Sequence, residues 1–401
     1  MNAMTARAGL LEGIRVLDLS RVMSGPFCTS MLADLGAEVI KVEMPGSGDE
    51  GRSFGPFVEG ESSYFMLLNR NKKSVTVDMK SEDGRAVIRA LIPKCDILVE
   101  NFRPGVMARL GLDEPTVRQI NPGIIYTSIS GFGQDSPLKA WPAFDLVIQA
   151  MSGLMSLTGP RGGPATAVGE SVADVCTGMF AAFGTLAALF DRERSGRGRH
   201  VDVAMLDSMM AMQLTGLARR LYMNDTPKPA GNRHPVTYPV DSFATTTGDV
   251  VMVCFSDKAF SALAELMGEP ELAGDPRFST NSARNDHEDL LRCRIAAWTG
   301  GLTQDAVTKS LLDAGIPAAP VWDMNQLVGS DHVAQRGLVE TGHHRTLGDV
   351  PLVPQPVRFS GDDPQDAPTT PELGEHTEAV LRDVAGADDT MINRLRDNGT
   401  I

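Results

Sequence analysis

Asp174 stands at the mouth of ADVCTGMFAAFGTLAALF, and no further charge appears until Asp191. The plain physical role of such an acid is a helix start, where its charge meets free N–H groups and the positive end of the helix dipole. Other chemistry-bearing groups cluster after strand-like runs. Lys72, Lys73 and Lys80 surround SVTVDMK, while Arg103 and Arg109 follow DILVENF. If those runs share one sheet edge, they form a cationic rim on which a phosphorylated ligand docks. Gly46-Ser-Gly48-Asp-Glu-Gly51 matches a dinucleotide fingerprint on paper. Asp49 and Glu50 would repel a pyrophosphate and RSFGPF opens no helix, so a surface turn is expected there and NAD is excluded. No GxSxG elbow and no HExxH occurs. The seven histidines lack metal-ligand spacing, His343 and His344 point apart on most backbones, and no metal is expected.

The elements that must position these groups follow from periodicity. IRVLDLS (14–20), EVIKVE (38–43), SVTVD (74–78), DILVENF (96–102) and IIYTSIS (124–130) read as short buried strands. Between them PFCTSMLADLGA and SEDGRAVIRALI carry helical spacing, with Ser81 placed as a cap. Alternating strands and helices predict an α/β fold with a mainly parallel sheet and ligand loops beyond the strands' carboxyl ends. VMSGP, ENFRPG and GFGQ are such loops. Residues 1–222 form the expected large Rossmann-like domain. The Pro-, Gly- and Asn-rich stretch MNDTPKPAGNRHPVTYPV begins a linker and smaller α/β domain over 223–329, with VVMVCF as a strand and helices near 257–268, 283–297 and 303–314. Residues 330–401, with SGDDPQDAPTTPELGEH, read as a strap rather than a domain.

The chain has 401 residues, 42% hydrophobic and 22% charged, an ordinary globular composition long enough for two domains. The opening residues lack the apolar core of a secretion signal, and no apolar run reaches membrane length without small or polar interruptions. Five scattered cysteines without a CxxC pair fit a reducing cytoplasm. A formal charge of −14 argues against nucleic acid as a partner, so an anionic ligand must be met by local Lys and Arg.

Several long stretches in order resemble the class III CoA-transferase family, which includes formyl-CoA transferase, carnitine CoA-transferases and alpha-methylacyl-CoA racemase. They are VMSGPFCTSMLADLGAEVIKVEMPGSGD, NRNKKSVTVDMKSEDG, DILVENFRPGVMARLGL, ADVCTG and RSGRGRHVDVAMLDS, with IPAAPV and LGEHTEAVL resuming the likeness later. The resemblance implies that Asp174 is the catalytic nucleophile, forming an acyl-aspartyl anhydride. It implies coenzyme A contacts at Val22, Ser24, Val77, Lys80, Asn101, Phe102 and Arg109, with Lys139 near the phosphates. It also implies acyl-CoA and a small carboxylic acid as partners, no membrane, and an interlocked homodimer with a returning C-terminal segment. An ordinary Asp, with a pKa of about 4, is ionised at neutral pH and attacks a thioester without a general base. Ala173, Cys176, Thr177 and Gly178 leave room for acyl groups.

Two departures bear on the substrate. No glycine-rich run follows residue 223, as formyl-CoA transferase would have. Racemases of the family carry His before the acid of the motif that here reads PAFDLVIQ, and Phe144 before Asp145 cannot move a proton. The expected activity is CoA transfer from an acyl-CoA to a free carboxylic acid. A racemase or epimerase of the same fold, and a non-catalytic acyl-CoA-binding protein, are the alternatives.

Overall fold

A computed structural model describes residues 9–360 and 367–401. The readings that rest on residues 1–8, and on 361–366 of the Pro/Asp-rich stretch, lie outside the described residues. The chain forms two compact units: one runs up to Leu154 and includes Val168–Leu217 and everything from Ala334, the other comprises Met155–Ala167 and Ala218–Val333.

The first unit is built on six strands: β1 (Arg15–Asp18), β2 (Glu38–Glu43), β3 (Lys72–Thr76), β4 (Ile97–Glu100), β5 (Ile125–Ser130) and β6 (His200–Ala204). Their order across the sheet is β3-β2-β1-β4-β5-β6, and every pairing is parallel. That is the doubly wound order, in which the chain reverses direction at β1 and β4 and opens a crevice beyond their carboxyl ends. Period-two alternation assigns each strand residue to a face. Val16, Val39, Ile97 and Val99 turn toward Cys28, Leu32, Ala181 and Leu189. Leu17, Ile40 and Leu98 turn toward Val87, Ile88 and Leu91, and also toward Val380, Leu381, Ile392 and Leu395 from the end of the chain. Burial on both faces makes these strands near-continuous apolar runs. Strand β3 begins two residues earlier than SVTVD, because Lys72 pairs in register with Val39 and its side chain is neutralised in the interior.

Two helices position the chemistry. Helix α1 (Ser24–Asp34) leaves the loop after β1, and α3 (Val172–Ser195) runs against it and against β5 and β6; α2 (Asp145–Met151) sits at the start of α3. A Cβ on Gly178 would lie 2.7 Å from the Ser24 carbonyl oxygen, and one on Gly25 would lie 2.2 Å from the Ser20 Cβ. The missing side chain at Gly178 therefore lets α3 meet the backbone at the start of α1, and the one at Gly25 lets α1 begin close against Ser20. The sequence reading found no run of membrane length, yet the 24-residue α3 is long and apolar enough by length and composition. The stretch is apolar on average despite its small and polar residues, half of it is buried in the fold, and Gly178 makes the close contact with α1. The C-terminal segment lies along β3: the Gly374 N–H donates to Ser74 Oγ at 2.8 Å, and the Thr76 N–H donates to Thr377 Oγ1 at 3.0 Å.

The second unit has an antiparallel sheet of β7 (Val240–Ala244), β8 (Asp249–Val253) and β9 (Ala318–Pro320). Helices Asp257–Leu266, Glu288–Thr299 and Gln304–Asp313 cover a core containing Tyr238, Phe243, Phe260 and Phe278. The helix expected over 283–297 is broken at His287 into Asn281–Asp286 and Glu288–Thr299.

Candidate active site

Asp174 is the third residue of α3, yet its carboxylate does not cap the helix. Ser171 at the cap position makes no side-chain cap bond. The free N–H groups are taken by a residue of α2: Asp145 Oδ1 accepts from the Ala173 N–H at 2.7 Å and from the Asp174 N–H at 3.4 Å. Asp145 Oδ2 accepts from Gln149 Nε2 at 2.6 Å, and Gln149 Oε1 accepts from the Val168 N–H at 2.8 Å. A carboxylate from elsewhere thus does the capping that sequence alone assigned to Asp174, which leaves the Asp174 oxygens for other partners. Those partners are the hydroxyl and backbone N–H of Ser24 at the start of α1.

The electrostatics change one expectation. Burial, with the nearby Asp145 charge adding to it, lifts the Asp174 carboxyl from 3.8 to about 6, against the two Ser24 bonds that pull it down. It is therefore not an ordinary surface acid. It remains mostly ionised at neutral pH, and the higher basicity makes it the stronger nucleophile. Burial, with the Asp174 and Asp49 charges adding to it, pushes the Tyr64 phenol up. Tyr64 also meets Phe54 edge to face at 5.7 Å between ring centres. Sequence reasoning missed Tyr64, since a lone tyrosine before an apolar run gives no signal of its own.

The loop joining β1 to α1 carries the other half of the site. Val22 holds a left-handed backbone at φ 66, and its N–H donates to Asp49 Oδ1 at 2.9 Å. Asp49 is buried and paired with Lys41 at 2.7 Å, and Glu50 pairs with Arg21 at 2.6 Å. The two acids of the Gly46–Gly51 stretch are thus neutralised by partners that no linear motif displays. The stretch is no free surface turn: Ser47, Gly48, Asp49 and Glu50 line a cavity.

That cavity, of about 510 Å³, is walled by Leu19, Val77, Met79, Phe102 and Leu110 and carries Lys80. A second one, of about 220 Å³, is lined by Val22, Ser24, Asn101, Phe102, Lys139 and Asp174, together with Arg103, Trp141 and Phe144. Both are lined by Arg21, Glu50 and Phe102, with the Arg21 guanidinium 5.1 Å from the Phe102 ring centre. A larger cavity of about 750 Å³, beside Asp34, Asn71 and Arg358, shares no residue with either, so size alone does not mark the site.

Of the residues singled out from sequence, Val22, Ser24, Asn101, Phe102, Lys139 and Asp174 therefore gather around one cavity, and Val77 and Lys80 around its neighbour. Arg109 lines neither; it is exposed on the short helix Val106–Leu110, whose Val106 and Leu110 do. The Asn101 side-chain amide is spent on the Arg21 backbone, accepting its N–H at 2.9 Å and donating to its carbonyl at 2.7 Å. Lys72 does not belong to a cationic rim: it is fully buried, donating to Asp18 Oδ2 at 3.1 Å, Pro26 O at 2.9 Å and Asn69 Oδ1 at 2.9 Å. Its strand position turns the side chain inward, where only the tertiary partner Asp18 makes the charge tolerable. Among the described residues, no group of three or more His, Cys, Asp or Glu stands ready to hold a metal.

A doubly wound α/β unit with a half-buried carboxylate at the end of a paired cavity defines the class. The CoA-transferase family III pattern matches residues 11–377, and the chain belongs to that family. It is 40% identical over 379 residues to the acetyl-CoA:oxalate CoA-transferase of Acetobacter aceti, covering 94% of this chain and 96% of that protein. It is 37% identical over 394 residues to the succinyl-CoA:glutarate CoA-transferase of Mus musculus, covering 98% and 90%. The crystal structure of a CaiB/BaiF family protein from Brucella suis superposes with a TM-score of 0.85 at 34% identity, covering 94% of this chain and all of that one. The protein is a CoA-transferase, acting between an acyl-CoA and a free carboxylic acid.

Proposed function

We propose that Asp174 carries the transfer through mixed anhydrides and that the acceptor is a short dicarboxylate. The observation that carries this reading is the division of labour at α3. Asp145 satisfies the helix N-terminus, while Asp174, lifted to about 6, sits free of capping in the wall of a cavity. An Asp174 oxygen attacks the thioester carbon, the C–S bond breaks and CoA leaves as a thiolate. The thiolate then attacks the aspartyl carbonyl of the anhydride, releasing the donor acid and leaving an aspartyl thioester. The acceptor carboxylate displaces CoA from that thioester, and the thiolate finally takes the acceptor's acyl group from the second anhydride. Asp174 is regenerated and no proton is gained or lost.

Coenzyme A is assigned to the paired cavities. Its adenosine lies by Val77 and Lys80, with Arg109 outside at the phosphates, and its arm crosses Arg21 and Phe102 to reach Asp174. Lys139 and Arg103, both lining the Asp174 cavity, supply positive charge for phosphate and for the acceptor's spare carboxylate. Oxalate and glutarate, the acceptors named for two relatives, both carry a second carboxylate. Phe144, 66% exposed at the same cavity, offers no proton, which supports transfer over racemisation. The exposed Phe183 and Phe190 of α3 support a homodimer, which we take to be the interlocked one, and five free cysteines, four of them buried, support a cytoplasmic setting.

The test is chemical. Protein held with succinyl-CoA and hydroxylamine should gain a hydroxamate on the peptide containing Asp174. A label on another residue, or none while CoA exchange proceeds, would sink the anhydride route.

A further inference from the structure

Val22 is the one β-branched residue with a left-handed backbone among the described residues. A branched side chain avoids that region, so its surroundings must hold it there. From one side, Asp49 Oδ1 accepts the Val22 N–H at 2.9 Å and the Gly51 N–H at 2.8 Å. Lys41 Nζ lies 2.7 Å from Asp49 Oδ2, with the two side chains 0% and 2% exposed. Burial pushes the Asp49 carboxyl up, but Lys41 and these N–H groups outweigh it and keep it ionised. From the other side, the Asn101 amide clasps both backbone groups of Arg21. Two residues past Val22, Ser24 gives its hydroxyl and N–H to Asp174, and the Ser24 carbonyl is pressed against α3 at Gly178.

We propose that Asp49 is a positioning residue for the nucleophile: it locks the left-handed turn at Val22 that delivers Ser24 onto the Asp174 carboxylate. Asp49 touches neither Asp174 nor the reacting atoms; it acts through the loop. This rests on the reading of Asp174 as the nucleophile. Asp145 from α2 lies beside Asp174, the Tyr64 phenol feels its charge, and Arg21, Glu50, Arg103 and Lys139 line the same cavity; the donors that hold the carboxyl down are the hydroxyl and N–H of Ser24. A slack turn therefore withdraws what opposes burial and Asp145.

The experiment compares two full-length variants, Lys41→Met/Asp49→Asn and Lys41→Met/Asp49→Ala. Both delete the buried ion pair, and only the first keeps an oxygen to accept the Val22 N–H. The Asp174 carboxyl is titrated by carbon-13 NMR in protein free of substrate, its signal identified by loss in Asp174→Asn. The Asn variant should titrate as wild type, and the Ala variant should titrate higher by about one pH unit. Adding Val22→Gly to the Ala variant should restore the wild-type value, because glycine adopts the turn unaided. Equal titration of the two paired variants, or no restoration by glycine, overturns the proposal. Should the Ala variant fail to fold, the wild-type Val22 amide decides. Protection from hydrogen exchange up to global unfolding is expected, and exchange at the rate of an open loop overturns the clamp. Since no reading requires turnover, a chain without CoA exchange would refute the function and leave this result standing.

Discussion

Replacing Asp174 by asparagine should make the protein more stable and nearly inactive at once. In the folded chain the carboxyl is lifted from 3.8 to about 6. Against an ordinary Asp in the unfolded chain, that difference corresponds to about 3 kcal/mol, and partial solvent contact reduces it to about 1–3 kcal/mol. The sign follows from proton binding. The folded protein holds the proton more tightly, so ionisation of Asp174 costs stability that is fully spent above about pH 6 and wholly recovered below about pH 3.8. Asparagine has no charge to desolvate. It also removes no cap, because Asp145 serves the helix N-terminus. Urea unfolding at about pH 7.5 should therefore show the variant ahead by that margin, with the gap closing as the pH falls toward about 4. In the same preparations, exchange of labelled CoA should drop by orders of magnitude, since the attacking oxygen is gone. A variant less stable than wild type at about pH 7.5, or a gap indifferent to pH, would refute the electrostatic reasoning. Retained exchange would refute the nucleophile.

Glu100 offers a second linkage test away from the chemistry: burial pushes its carboxyl up to about 7 against bonds from Ser128 and the Phe102 N–H. Its folded value exceeds the unfolded one, so stability is full below about pH 4.5 and declines until about pH 7, and Glu100→Gln should remove that decline, gaining up to about 3 kcal/mol at about pH 8 in urea unfolding. Alanine at both Lys80 and Arg109 should raise the KM for acyl-CoA severalfold while barely moving that for the acceptor acid; equal effects on both would displace coenzyme A from the cavity of Val77 and Phe102. A chiral 2-methylacyl-CoA incubated with the protein in deuterium oxide should keep its α-hydrogen, and rapid deuterium incorporation would show that some group replaces the base missing at Phe144.

What sequence made legible was local. Alternating apolar runs located five sheet strands within a few residues, and Ser81 does accept the Gly84 N–H at 2.9 Å to start its helix. What stayed hidden was pairing across distance. Lys72 looks like surface charge until Asp18, 54 residues away, lies 3.1 Å from its ammonium. Asp49 looks like a charge hostile to anions until Lys41 neutralises it and Val22 hangs from it. Asp145 shows in sequence only as the acid after Phe144, and nothing there reveals that its oxygens are engaged by Ala173, Asp174 and Gln149. The three cases have one physical logic. Each charge, buried at Lys72 and Asp49 and half-buried at Asp145, satisfies a partner that would otherwise be stranded, and two of them act on the backbone that carries Asp174 or meets it. Capping and nucleophilic attack compete for one carboxylate when Asp174 is read alone. Spreading the capping onto Asp145 and the loop support onto Asp49 removes that competition. Asp174 then keeps its oxygens for the cavity, as the proposed role of nucleophile requires, at the cost of an ionised group held in a place that disfavours it.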